Sequence, residues 1–93
     1  MIISHSVDGD ILRVTLDRDL DITNRAAVAL ALQALIQAHR PKQVLVDVPL
    51  TEPSPATLSA LVRTHRMCRS VGVDFVLTGL GADAQRLLDA GVS

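Results

Sequence analysis

The segment Ser54-Pro55-Ala56-Thr57 stands closest to usable chemistry in this chain. Serine ahead of proline is a favoured helix start. The hydroxyl accepts a free first-turn N–H, and proline lacks a donor that would be unpaired anyway. A helix start also carries partial positive charge and several free N–H groups, which suit an anion. Asp21 and Asp47 form a second candidate set, two carboxylates suited to acid–base work or to Mg²⁺. No activated nucleophile or phosphate loop accompanies them, so the simpler reading has Asp21 capping a helix and Asp47 ordering a loop at a strand end. His5, His39 and His65 sit far apart in sequence without the short pair spacing of a metal site, so no metal is expected. Gly79-Leu80-Gly81 lacks the third glycine and the ribose-binding acid of a dinucleotide fingerprint; a tight turn is the plainer expectation, with no cofactor. Cys68 is the only cysteine, which excludes an intrachain disulfide and points to a small packed hydrophobe in a reducing compartment.

These residues must be positioned by a chain of 93 residues, enough for one domain spanning 1–93 and no second core. Apolar residues make up 48%, a globular rather than a disordered composition. Phe75 is the lone aromatic, so stacking platforms for bases or sugars are not expected. A formal charge of −1 lacks the basic excess of a nucleic-acid binder, and the cluster Arg63, His65, Arg66, Arg69 reads as a solvated helix face. The opening Met1-Ile2-Ile3-Ser4-His5 lacks the basic region and sustained apolar run of a secretory signal. No apolar stretch approaches the ~20 residues that span a bilayer, so a soluble cytoplasmic chain without membrane insertion is expected.

Residues 2–6 and 11–17 read as strands around Asp8-Gly9-Asp10, a hairpin signal. In the second, Leu12, Val14 and Leu16 share one face against Arg13, Thr15 and Asp17. Asp21 or Thr23 then caps a helix from about Asn24 to His39, with Val28, Leu32, Leu35, Ile36 and His39 on the buried stripe. Arg40-Pro41 ends it. The nearly unbroken apolar run Val44–Val48 suits a central strand covered on both faces. After the Pro49–Pro53 loop, a second helix starts at Ser54-Pro55, with Leu58, Leu61, Val62, His65 and Cys68 or Arg69 at helical spacing and Gly72 as a left-handed stop. Val73–Leu77 is a fourth strand. A last helix, about Ala82 to Ala90, turns Ala84, Leu87 and Leu88 inward and closes at Gly91. The order β-β-α-β-α-β-α predicts a single α/β domain: a mixed four-stranded sheet with about three helices packed on it.

That order resembles the STAS family, the fold of bacterial anti-sigma factor antagonists. Leu20-Asp21 before the first helix looks like the end of the family's Gly-acid-Leu-Asp turn, with Arg18 where the glycine would stand. Val44-Leu45-Val46-Asp47-Val48 is similar to its central strand, and Val73 to Leu88 resembles its closing strand, glycine turn and final helix. The family's second helix opens on an Asp-Ser-Ser-Gly-type segment phosphorylated by a partner kinase, and here the chain departs from it. Counting from Asp47 without a gap places Thr57 in the acceptor slot; removing one loop residue keeps the apolar helix positions in phase and places Ala56 there.

The resemblance implies a non-enzymatic regulatory module without cofactor or metal. Its partner would be an anti-sigma factor or an ATP-binding Ser/Thr kinase-type protein, docked through the 50–57 loop and the start of the second helix. The contact set would be Asp21, Thr23, Asp47, Thr51, Glu52, Ser54, Ala56 and Thr57. Thr57, with its hydroxyl turned outward, and Ser54 are the phosphoacceptor candidates; roughly two added negative charges there would release a partner by repulsion. The alternative is a non-phosphorylated scaffold or accessory subunit of a transporter or signalling assembly, and a homodimer stays open.

Overall fold

Strand β1 (Ile3–Asp8) and strand β2 (Ile11–Leu16) form the opening hairpin of a computed structural model that describes residues 3–50 and 52–92. Asp8 pairs directly with Ile11, so Gly9 and Asp10 are the two central turn residues. Gly9 has φ +60°, and placing glycine first fits a turn whose twist matches the strands. The pairing carries β1 two residues past the expected end at Ser6.

Helix α1 (Arg25–His39) leads to strand β3 (Gln43–Asp47), helix α2 (Pro55–Ser70) to strand β4 (Asp74–Thr78), and helix α3 (Ala82–Val92) follows. The sheet order is β1-β2-β3-β4, antiparallel in the hairpin and parallel from β2 through β4. This is the mixed four-stranded α/β architecture expected from the sequence. Among the described residues no helix is long and apolar enough to cross a membrane.

The core lies between the sheet and one helical layer. Leu12, Val14, Leu16, Val44 and Val46 supply its floor, and Val28, Leu32, Ile36, Leu61, Cys68 and Leu88 close it from above. Each fully buried aliphatic side chain contributes about 1.5–3 kcal/mol of transfer free energy. α1 packs on α2, and α2 on α3. The opposite sheet face is bare and lines an open hollow of about 470 Å³ that includes Ser4, Arg13, Thr15, Leu45, Asp47 and Thr78. β3 is therefore covered on one face, not two. Leu45 is half-buried only because Arg13 and Val76 flank it in register.

Several side chains point elsewhere than periodicity suggests. His39, expected on the buried stripe of α1, is exposed at the helix end with its ring 6.1 Å from that of His5. In α2 the buried stripe is Thr57, Ala60, Leu61, Thr64 and Cys68, while Leu58, Val62 and His65 are half-buried. Two threonines hold core positions because both hydroxyls are satisfied, Thr64 by donating to the Ala60 carbonyl at 2.9 Å. Among the described side chains of α3 only Leu88 is buried, Leu87 is 64% exposed, and the backbone stays helical through Gly91 to Val92. The inward placement expected of Ala84 falls outside the described side chains.

The helix ends follow local chemistry. Gly72 has φ +74°, and the Val73 N–H reaches back to the Cys68 carbonyl at 2.9 Å, which makes the expected left-handed stop of α2. Arg40 takes the corresponding position after α1 at φ +46°, unusual for a residue with a side chain.

Candidate functional site

The three connectors that leave the C-terminal ends of β2, β3 and β4 gather at one end of the sheet, and two of them are bonded together. Ser54 is the N-cap of α2, with Pro55 first in the helix as the sequence predicts; its Oγ accepts the Thr57 N–H at 3.2 Å. The same hydroxyl donates to the Leu20 carbonyl at 2.7 Å, across 34 residues of chain. Leu20 is itself buried in the core, which fixes the β2–α1 connector in place.

Thr57 completes the junction. Its hydroxyl donates to Asp19 Oδ1 and accepts the Leu20 N–H at 2.8 Å. Thr57 is 0% exposed, so the expected outward presentation is corrected: the hydroxyl points into the junction. Turned that way, the buried hydroxyl finds an acceptor in the Asp19 carboxylate and a donor in the Leu20 N–H. Ala56, the other occupant of the acceptor slot, is half-buried beside it and has no hydroxyl.

Asp19 is the hub. Its carboxylate takes the Thr57 hydroxyl, the Ser54 N–H at 3.0 Å and the Leu20 N–H at 3.1 Å. Partial burial pushes its pKa up, but the bonds from Thr57, Ser54 and Leu20 together outweigh this and hold it below the usual carboxylate value. A carboxylate accepting from a hydroxyl is half of an activated nucleophile. Here the hydroxyl is buried, and its oxygen accepts from the Leu20 N–H at 2.8 Å and from the Ser54 hydroxyl at 3.3 Å.

Asp21 and Thr23 fold the connector into the turn before α1. Asp21 Oδ1 accepts the Thr23 N–H at 2.9 Å and the Asn24 N–H at 3.1 Å, together with the Thr23 hydroxyl. The Asn24 side chain returns a bond by accepting the Asp21 N–H at 2.8 Å. The residue in the N-cap position is Asn24, which makes no side-chain bond into the helix, so neither Asp21 nor Thr23 caps α1 directly. The Thr23 hydroxyl, then the Thr23 and Asn24 N–H groups and Arg18, hold Asp21 below its usual pKa.

Asp47 lies at the end of β3 on the bare sheet face, where Thr78 Oγ1 donates to it at 3.0 Å. Asp21 and Asp47 are each engaged by their own hydroxyl and do not act as a pair. Gly79 follows at φ +87°; a Cβ there would stand 2.6 Å from the Val48 carbonyl oxygen, so this turn needs glycine. Among the described residues no group of three or more His, Cys, Asp or Glu side chains could hold a metal ion. His65 stacks on Phe75 with ring centroids 4.8 Å apart. Desolvation, then the nearby Arg69, lowers its pKa despite the opposing pull of Asp89.

The accessible surface around this junction is mixed: Arg18, Asp19, Asp21, Thr23 and Glu52 are exposed alongside apolar side chains. Ile22 is 77% exposed in the turn before α1. Pro53, Leu58 and Leu87 line a hollow of about 440 Å³ with Glu52 and Asp83 beside them. Thr51 lies outside the described residues. Of the expected contact residues the junction thus joins Ser54 and Thr57, through Asp19 and Leu20; Asp21 and Thr23 bond within the adjoining turn, and Asp47 lies on the sheet face. Sequence reasoning missed Asp19 and Ile22. Asp19 could have been found as the acidic residue of the turn preceding Leu20-Asp21, whereas an exposed isoleucine leaves no periodic trace. No protein-family model and no curated protein matches this chain.

Proposed function

We propose that the chain is a non-enzymatic regulatory module of the STAS type, working in the cytoplasm by docking a partner protein at the junction of the β2–α1 connector, the 50–57 loop and the start of α2. The partner class is an anti-sigma factor or an ATP-binding Ser/Thr kinase-type protein. The observation that carries this reading is the hollow lined by half-buried Pro53 and Leu58 and exposed Leu87 beside the start of α2, together with Ile22, which stands exposed on the β2–α1 connector. Large apolar side chains clustered at such a site have more to gain from a partner surface than from water. Burial of Thr57 and the engagement of Ser54 favour a dock that is always ready over one released by phosphate. The same observation favours, as a second reading, a non-phosphorylated scaffold subunit within a transporter or signalling assembly.

The test is calorimetric titration against each kinase-like anti-sigma factor encoded in the same genome, with and without ATP, followed by phosphate-affinity electrophoresis. The expected result is a complex with one of them, weakened about tenfold or more by Ile22→Asp, with no phosphate on the wild-type protein. A mobility shift that disappears in Thr57→Val would reinstate the phosphate switch. Absence of binding to every candidate would remove the anti-sigma reading and leave the scaffold.

A further inference from the structure

Helices α1 and α2 carry a second surface whose charge is one-sided. Neither α1 nor α2 contains an acidic residue, yet they hold Arg25, Arg63, Arg66 and Arg69; Lys42, beyond the end of α1, is paired with Asp10 at 3.7 Å. The chain as a whole is at −1, so the cations on these two helices reflect segregation and not overall composition.

The outer face of α1, at one edge of the layer, is uncharged. α1 has no ionised residue from Ala26 to Ala38, and its outward face consists of alanines, Gln37 and Leu30, which is 58% exposed. α3 shows how this protein treats a helix meant for water: Asp83 pairs with Arg86, and Gln85 donates to Asp89 at 3.2 Å. α1 has no such pairs. Beside its bare face, Arg25 and Arg63 border a groove of about 200 Å³ between α1 and α2 that is floored by Ala26, Ala29, Ser59 and Ala60. Small floor residues let another backbone approach closely, and Leu30 is the large apolar side chain exposed on the same helix.

We infer that the α1–α2 face is a second docking surface for a partner protein, which presents an amphipathic helix with an apolar stripe flanked by Asp or Glu. Complementary charge selects this occupant. A second copy laid on the same face would bring Arg25 and Arg63 against their own equivalents. Nucleic acid would meet the uncharged outer face of α1 where phosphates need cations, and a bilayer would find Leu30 as the one large apolar anchor on that face. The surface is separate from the Ile22–Leu87 site, and this inference does not rest on the function proposed for that site.

The experiment places a photo-crosslinking amino acid at Ala34 in the full chain, in the cell that makes it, and sequences the peptide captured. A control probe replaces Ser6 on the bare sheet face. Capture of a helix with an acid-flanked apolar stripe is expected, at a yield reduced about tenfold by Arg63→Glu or Leu30→Asp. Arg25→Glu is the second charge variant, and thermal unfolding of each variant confirms the fold. Capture of another copy, of nucleic acid or of lipid would overturn the inference, as would a yield no higher than at Ser6 or one indifferent to both charge reversals. Persistence of the Ala34 product in Ile22→Asp, which disables the other site, separates the two surfaces.

Discussion

Thr57→Val is the sharpest perturbation this fold offers, because it keeps the side chain's shape and removes one hydroxyl from a buried junction. That hydroxyl donates to the Asp19 carboxylate and accepts the Leu20 N–H. A hydrogen bond to a charged partner is worth about 1.5–3 kcal/mol; because solvent reaches one side of Asp19, the lower half of that range applies. Leu20 N–H keeps Asp19 Oδ1 as an acceptor at 3.1 Å, so no orphaned donor adds to the cost. Thr57→Val should therefore cost about 1.5 kcal/mol. Asp19→Ala leaves the Thr57 hydroxyl buried without its acceptor and should cost about 2–3 kcal/mol. Because the variants remove the same bond, the double variant should fall short of their sum by about 1 kcal/mol or more. Urea unfolding at pH 7 reads all three. Asp19 adds a pH signature. Its folded pKa lies below its unfolded one, so its stabilisation is complete above the unfolded value near ~3.9 and is lost as pH falls through the folded value. The gap between wild type and Asp19→Asn should shrink over that acid window. Additivity of the two substitutions within about 0.3 kcal/mol would refute the junction as a coupled unit.

Gly79→Ala should destabilise the fold by about 2 kcal/mol or more in the same assay, since φ is +87° and the new Cβ meets the Val48 carbonyl. Arg40→Gly should raise stability by about 0.5–1 kcal/mol, read as a higher thermal midpoint, because glycine relieves the left-handed cap at φ +46°. Burial pushes the Cys68 thiol up to about 11, so iodoacetamide at pH 8 should label it only as the protein unfolds, and fast labelling of the native state would contradict its packing.

Short-range rules were enough for the local features of this chain. The Gly9 hairpin, the Ser54-Pro55 helix start and the Gly72 stop are each decided within a few residues, so their backbone chemistry is readable in order along the chain. The alternation in β2 likewise told which face of that strand is buried. Periodicity failed where polar groups entered the core. Thr57 and Thr64 look solvent-facing on any apolar pattern, and the stripe drawn through Leu58, Val62 and His65 was rotated off its true centre. Neither Leu87 nor Leu88 announces which of them will meet α2.

What only the tertiary structure decided is the junction and the one-sided covering of the sheet. The bond between Asp19 and Thr57 spans 38 residues, and no local preference brings those two side chains together. It forms because Leu20 must be buried and α2 must start beside it, which gives the buried hydroxyl an acceptor in Asp19 and a donor in the Leu20 N–H. β3 was apolar enough to be covered twice, but α1, α2 and α3 stack against one another on a single face. An apolar run records that a strand can be buried, whereas the side on which helices pack is set by how the crossovers return to the sheet.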